Sequence, residues 1–336
     1  MKHIEEVATL KLIPAITGTP VIDAPMVLEW PLDGAALQPS LHNPTSNMLY
    51  DLHGTLDDSD LVLSTEGNYH MALREVWPLV LAKFKDDPLR NALYTTSPPV
   101  IFQQLQNGVV QFDNLTLRSN PSVVVANKIV MDKLGAANLI QGDIHPLYQD
   151  RGVVILVKYG NPKKITGVFD LGKKGVRLVT PNPELEPGTY QNYCDAIYNI
   201  AKSADRPPKK FTAEQLIDTV FNGASDDALK WLAGPRIHHR DLPWSVAHGR
   251  ADAAVILYHV GLHAKRAFPH LFDIVPLGGS VENPQPLPGT KIDTRFVAAI
   301  QGEWTTKQNA AQQALIETLL SEDFTQALEA HGLRRP

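Results

Sequence analysis

The sequence predicts an α/β protein of about two domains, and three observations predict it. From Asp60 onward, short apolar stretches of strand length alternate with segments of helical length, the pattern of a parallel sheet covered by helices on both faces. The chain has 336 residues, about two domains' worth. Its 43% hydrophobic and 20% charged residues are the proportions of an ordinary folded protein.

The elements follow in order. Residues 1–57 stand apart: Pro14, Pro20, Pro25, Pro31, Pro39 and Pro44 block regular helix and central strand, leaving short β-like pieces such as residues 26–30. They read as an extension that packs on the surface or arranges a partner. Residues 61–63 are a first apolar strand, followed by STEGNYH and a helix through Leu81. Residues 92–94 are a second strand, followed by TTSPP and a helix over 100–106 that Asn107 and Gly108 stop. Residues 122–126 form a third, and the helix from Lys128 is expected to end at Gly135. Residues 153–158 and 176–179 are the next strands. The second leads through PNPELEPGTY into a helix over 190–201 that carries Cys194 as a buried small side chain. Residues 253–257 and 272–275 complete the series.

In such sheets ligands sit beyond the carboxyl ends of the strands, where loops enter helix N-termini whose unpaired N–H groups favour anions. Two such loops are polar, one with Ser64, Thr65 and Asn68, the other with Thr95, Thr96 and Ser97. The same residue types also serve as helix caps.

Several function classes are excluded. A formal net charge of −5 with both signs interspersed leaves no basic footprint for nucleic acid and no polybasic patch for a membrane. The longest apolar run, residues 153–157, is too short to cross a bilayer. A single cysteine permits no intrachain disulfide. The first twenty residues lack the layout of a signal peptide, which reads as a cytoplasmic protein; a mis-assigned start would make it periplasmic or secreted. No P-loop, G-x-G-x-x-G or G-x-S-x-G stretch is present, and no cofactor is expected. Among twelve histidines, His259 and His263 have helical metal-ligand spacing but no glutamate of the metalloprotease arrangement, and no metal site is assigned.

The stretch from Val153 carries Gly160-Asn161-Pro162, Asp170-Leu171, Pro183 and Pro187-Gly188-Thr189-Tyr190 in that order. Gly249, Ala251, Asp252 and Tyr258 follow, and Gly332-Leu333 closes the chain. In order and spacing, these resemble the type II periplasmic binding proteins, specifically their molybdate- and tungstate-binding branch, from about Asp60 to the C-terminus. The resemblance implies two lobes, each a mostly parallel sheet with helices on both faces, joined by two hinge crossings. Lobe I would comprise residues 58–150 and 260–336, and lobe II residues 151–259. It further implies a protein that closes around a small ligand, an oxyanion or small organic anion, for an ABC permease or as an intracellular sensor.

Carried onto this chain, the resemblance places ligand contacts at Asn68, at Thr96 or Ser97, at backbone amides near Val157 and Glu186-Pro187, and at Tyr258. With the neighbouring residues, the candidate set is Thr65, Glu66, Asn68, Tyr69, Thr96, Ser97, Glu186, Tyr190, His239, Arg240 and Tyr258. Arg240 would neutralise ligand charge through two parallel N–H bonds. Glu66 departs from the pattern, since a carboxylate beside an oxyanion repels it unless protonated or turned away. Two other classes stay open: an enzyme on the same fold with Glu66, His70 and His239 as acid–base groups, and an interaction module working through the proline-rich head.

Overall fold

A computed structural model describes residues 15–22, 52–53, 59–95, 102–107, 110–112, 115–117, 121–204, 208, 211–223, 229–234 and 237–336. Thr96, Ser97 and the β-like piece at 26–30 lie outside them. In chain order the elements are β1 (Val21–Ile22), β2 (Leu52–His53), β3 (Leu61–Ser64), α1 (His70–Ala82), β4 (Ala92–Thr95), α2 (Phe102–Asn107), β5 (Val110–Phe112), β6 (Leu115–Leu117), β7 (Val123–Asn127), α3 (Lys128–Ala136) and β8 (Ile140–Gln149). Then come β9 (Val153–Lys158), β10 (Leu178–Thr180), α4 (Pro187–Lys202), α5 (Ala213–Phe221), β11 (Trp231–Ala233), α6 (His238–Ala247), β12 (Ala253–Leu257), α7 (Tyr258–Ala267), β13 (Phe272–Pro276), β14 (Thr294–Ile300), α8 (Thr306–Leu320) and α9 (Glu322–Ala330).

These elements form two compact units. One comprises Gly152–Lys291 with residues 15–22, the other Ile292–Pro336 with the described residues of 52–151. The second unit is built on a sheet of order β2-β4-β3-β7-β14-β8. Alternation along its central strands sends side chains to opposite faces. Val123, Val125 and Val297 pack with Leu73, Val76, Leu315 and Phe324 of α1, α8 and α9. Val124, Ala126 and Ala298 pack with Leu105, Met131 and Leu134 of α2 and α3. Helices therefore cover both faces of this sheet, as expected.

The first unit is built on a sheet of order β1-β11-β10-β12-β9-β13, against which α6 and α7 pack. Its strands are near-continuous apolar runs: β9, β10, β11 and β12 are buried apart from Lys158 at the end of β9. Cys194 is fully buried in α4, as expected.

Four expectations are corrected. The sheets are more mixed than the strand–helix alternation implied: β9 runs antiparallel to β12 and β13, and β14 antiparallel to β7 and β8. These are the strands next to the two connections between units. Beside those connections Asp150 and Asp293 exchange hydrogen bonds: Asp150 N donates to the Asp293 carbonyl at 3.1 Å, and the Asp150 carboxylate accepts from Asp293 N at 3.0 Å. The chain returns to the second unit at Ile292, not near Val260. The reason is packing: β13 pairs with β9, Tyr258 donates to the Val281 carbonyl, and Gly289 lies against the Asn199 backbone, so residues 260–291 stay with the first unit.

α3 runs through Gly135 to Ala136, and the left-handed residue that follows it is Asn138, at φ 55°. Finally, the extension is not wholly apart from the sheets. Val21–Ile22 pairs parallel with β11, and Leu52–His53 pairs antiparallel with β4.

Candidate functional site

In the first unit, β10, β11 and β12 run parallel, so their carboxyl ends share one edge. Each of the three strands leads into a helix, respectively α4, α6 and α7. Pro187 opens α4 and has no N–H to orphan, which leaves those of Gly188 and Thr189 at the helix start. A Cβ built on Gly188 would meet no atom within 4 Å, so this end of α4 is open.

The α6 N-terminus is already served. The Glu186 carboxylate accepts from His238 N at 2.8 Å and lies 2.8 Å from His238 Nδ1. Burial alone would raise the Glu186 pKa, but His238 and His239 outweigh it and hold the carboxyl below its ordinary value. Asp241 closes the same turn by accepting from Ile237 N at 2.7 Å, so it caps the helix and is not free to neutralise Arg240 fully. Arg240, one residue earlier, is half-buried. Burial lowers its pKa to about 10, Asp241 opposes this, and the guanidinium stays charged at neutral pH. His239 is also half-buried, and its pKa is pushed down by burial first and by His238 second.

Two expected contacts in this unit are internal. Tyr190 is buried, its ring stacked at 6.1 Å from Trp231, and burial raises its pKa. Tyr258 is buried and donates to the Val281 carbonyl at 2.7 Å. Val157 lies at the opposite edge, between Ala253 and Asp273 in the ladder, so its backbone is not at the helix-start edge.

In the second unit the corresponding edge holds the end of β3 and the loop to α1. Thr65 is fully buried, and its hydroxyl donates to the Tyr69 hydroxyl at 2.9 Å. Tyr69 is fully buried too, its ring 4.8 Å from Tyr148 and 6.2 Å from Phe324. Both are therefore wall and core. Ser64 and the half-buried Asn68 have side chains that make no hydrogen bond with any described residue, and they are the donors this loop offers.

The Glu66 carboxylate accepts from Arg295 Nε and, at 3.3 Å, from the Tyr148 hydroxyl. Burial works against the Arg295 charge, but Glu66 outweighs it and raises the pKa above the ordinary arginine range. Thus the carboxylate that departed from the pattern is neutralised within the unit. Arg295 and Tyr148 escaped the sequence analysis. They sit opposite each other in the β14–β8 ladder, a pairing no local motif announces. His70, offered as an acid–base partner of Glu66, lies with its ring 6.1 Å from that of Tyr94. Among the described residues no group of three or more His, Cys, Asp or Glu side chains is placed to hold a metal.

The model of a bacterial extracellular solute-binding protein family matches residues 92–334. The chain belongs to that family. It is accordingly a solute-binding protein and not an enzyme. No curated protein matches the chain in sequence. Among solved structures the fold is similar to Peb3 from Campylobacter jejuni, with 17% identity, TM-score 0.50, and coverage of 82% of this chain and 100% of that one. It is similar to L-phospholactate-bound PEB3, with 16% identity, TM-score 0.50 and coverage of 82% and 100%. It is also similar to the sulfate-binding protein SubI from Mycobacterium tuberculosis H37Rv, with 16% identity, TM-score 0.50, and coverage of 82% and 85%. These likenesses confirm the two-lobed type II periplasmic-binding-protein fold. The molybdate branch is finer than they reach.

Proposed function

We propose that this solute-binding protein takes a small solute with an anionic group, an oxyanion or small organic anion, and delivers it to an ABC permease. The closing motion expected from the sequence is part of the proposal. The observation that carries it is the edge of the first unit, where α4 starts with the N–H groups of Gly188 and Thr189 open and Arg240, in the first turn of α6, supplies a charged guanidinium. Glu186 supports it as well: this edge already stabilises one carboxylate of the protein's own. In the second unit, Ser64 and Asn68 offer neutral donors, and Arg295 keeps Glu66 from repelling an anion. Sulfate and phospholactate belong to the fold relatives that bear those names; at 16% identity they support the fold.

Thermal-shift measurements against molybdate, tungstate, sulfate, phosphate, small carboxylates and divalent metals test this. A ligand that binds only the folded state adds about 4 kcal/mol at a thousandfold excess over its Kd. One anion is expected to raise the melting temperature. A shift with cations alone, or with nothing in the panel, would sink the anion reading. The family's extracellular description supports a site of action outside the cytoplasm, against the cytoplasmic reading of the first twenty residues. Fractionation of cells expressing the native gene decides between them. Among the described residues, no helix is long and apolar enough to cross a membrane.

A further inference from the structure

The edge of the first unit's sheet opposite the helix starts carries charge that the sequence scatters and the fold collects. β9 runs antiparallel to β12 and β13, so its last residue, Lys158, pairs with Phe272 at the start of β13. The 158–177 segment lies at this edge. Lys163 Nζ donates to the Gly175 carbonyl at 2.7 Å, Lys173 Nζ donates to the Lys164 carbonyl at 3.4 Å, and Gly160 N donates to Asp273 at 2.7 Å. Lys158, Lys163, Lys164, Lys173 and Lys174 are all exposed there. The acids among them are already engaged: Asp170 with Lys173 at 2.8 Å, Asp252 with Arg177 at 3.5 Å, and Asp273 with Lys265 at 2.5 Å. Lys158, Lys164 and Lys174 enter no ion pair with a described residue. In a chain of net charge −5, one edge thus shows a clear excess of cations.

Tyr159 stands among these lysines with 58% of its surface exposed, beside the exposed His270 ring at 6.4 Å. We propose that this edge docks on the anionic head groups of a phospholipid bilayer. Three features favour a bilayer over an acidic protein. Within the 158–177 segment the exposed charges are all lysines, compact and strongly hydrated, without the guanidinium fork that grips one carboxylate. Lysine is depleted in protein–protein interfaces, whereas clustered lysines respond to the diffuse potential of anionic lipid. They are spread over loops and do not converge on one seat, and an exposed tyrosine among them is the amphipathic side chain that settles at a membrane interface. Docking by this edge leaves the helix-start edge uncovered. It also raises the protein's effective concentration near any membrane-embedded partner. The surface does not depend on which solute is bound.

The test is co-sedimentation of the full chain with vesicles of phosphatidylcholine alone and of phosphatidylcholine mixed equally with phosphatidylglycerol. Binding is expected only to the mixed vesicles and is expected to weaken steeply as salt rises, because the Debye length falls from about 10 Å at 0.1 M toward about 3 Å at 1 M. The triple variant Lys158→Glu, Lys164→Glu, Lys174→Glu should bind the mixed vesicles at least about tenfold more weakly, with an unchanged melting temperature. The corresponding Lys→Gln triple variant, expected to lose less, stands in if charge reversal lowers that temperature. Equal binding to both vesicle types, or binding unaffected by either variant, overturns the proposal. So does failure to bind mixed vesicles at low salt, and the same failure with retention on soluble polyglutamate would assign the edge to an acidic protein.

Discussion

Arg295 donates its Nε–H to the Glu66 carboxylate, joining the residue just before the helical turn Gly67–Tyr69 of the β3–α1 loop to a strand 229 residues away. Both side chains are mostly buried, at 14% and 16% exposure. Removing one partner strands a buried charge, which costs roughly 3–5 kcal/mol, whereas replacing both with apolar or neutral groups is often close to neutral. Arg295→Met alone should therefore lower the unfolding midpoint sharply. Glu66→Gln combined with Arg295→Met should restore most of it. Urea unfolding of the two variants checks this, and equal destabilisation by single and double variants would show that the pair's charges are not what matters.

His239 gives the first unit a pH dependence whose sign is determined. Its folded pKa lies below the ordinary 6.5, pushed toward about 3 by burial and His238. Below pH 6.5 the unfolded chain takes up a proton that the folded chain resists, so this contribution is complete above 6.5 and is lost as pH falls through the window toward 3. Glu186, also depressed, adds a loss of the same sign once pH falls through about 4.5 and below. Melting temperatures from pH 7.5 to 4 should fall in the wild type. The fall between 6.5 and 5 should be shallower in His239→Gln, which cannot titrate.

Much of this architecture was legible in the sequence because buried strands in a helix-covered sheet are nearly uniform apolar runs. Residues 153–158 and 253–257 read directly as β9 and β12. α5 was missed although it opens on a readable signal, a threonine followed three residues later by glutamine: Thr212 and Gln215 form a complete capping box, as Thr305 and Gln308 do at the start of α8. The site was less legible. Polar loops identify Ser64 and Asn68 but cannot say that Thr65 turns inward onto Tyr69, because side-chain direction after a strand depends on what packs beneath it. Nor can a local motif pair Glu66 with Arg295, or show that Glu186 is spent on capping α6. The lysine edge was read as interspersed charge because its cations collect only when β9 lies between β12 and β13.

Arg240 is the side chain on which the anion reading can be tested most sharply. A hydrogen bond to a charged partner contributes roughly 1.5–3 kcal/mol, which corresponds to about a tenfold to hundredfold change in affinity. For whichever anion raises the melting temperature, Arg240→Gln should raise Kd by that factor in calorimetric titration. Unchanged Kd in Arg240→Gln would remove the guanidinium from the site.

Gly289 tests whether the segment before the second connection belongs to the first unit. It has φ 96°, and a Cβ there would lie 2.6 Å from the Asn199 carbonyl carbon near the end of α4. The three nearest atoms are the carbonyl carbon, Cβ and carbonyl oxygen of Asn199, none of them a flexible side-chain tip, so the clash cannot be relieved by a rotamer change. An L-residue at that φ is strained in addition. Gly289→Ala should therefore destabilise the first unit by roughly 1–3 kcal/mol. Gly142→Ala offers the comparison. It shares a positive φ of 74° but meets no atom within 4 Å of its Cβ, so it bears the backbone strain without the clash and should cost less. Hydrogen exchange should then show faster opening of α4 amides in Gly289→Ala, while β7 and α8 amides of the second unit keep their protection. Faster exchange in β7 and α8 with α4 unchanged would assign the segment to the other unit, because only the elements it packs on lose stability when it is pushed away.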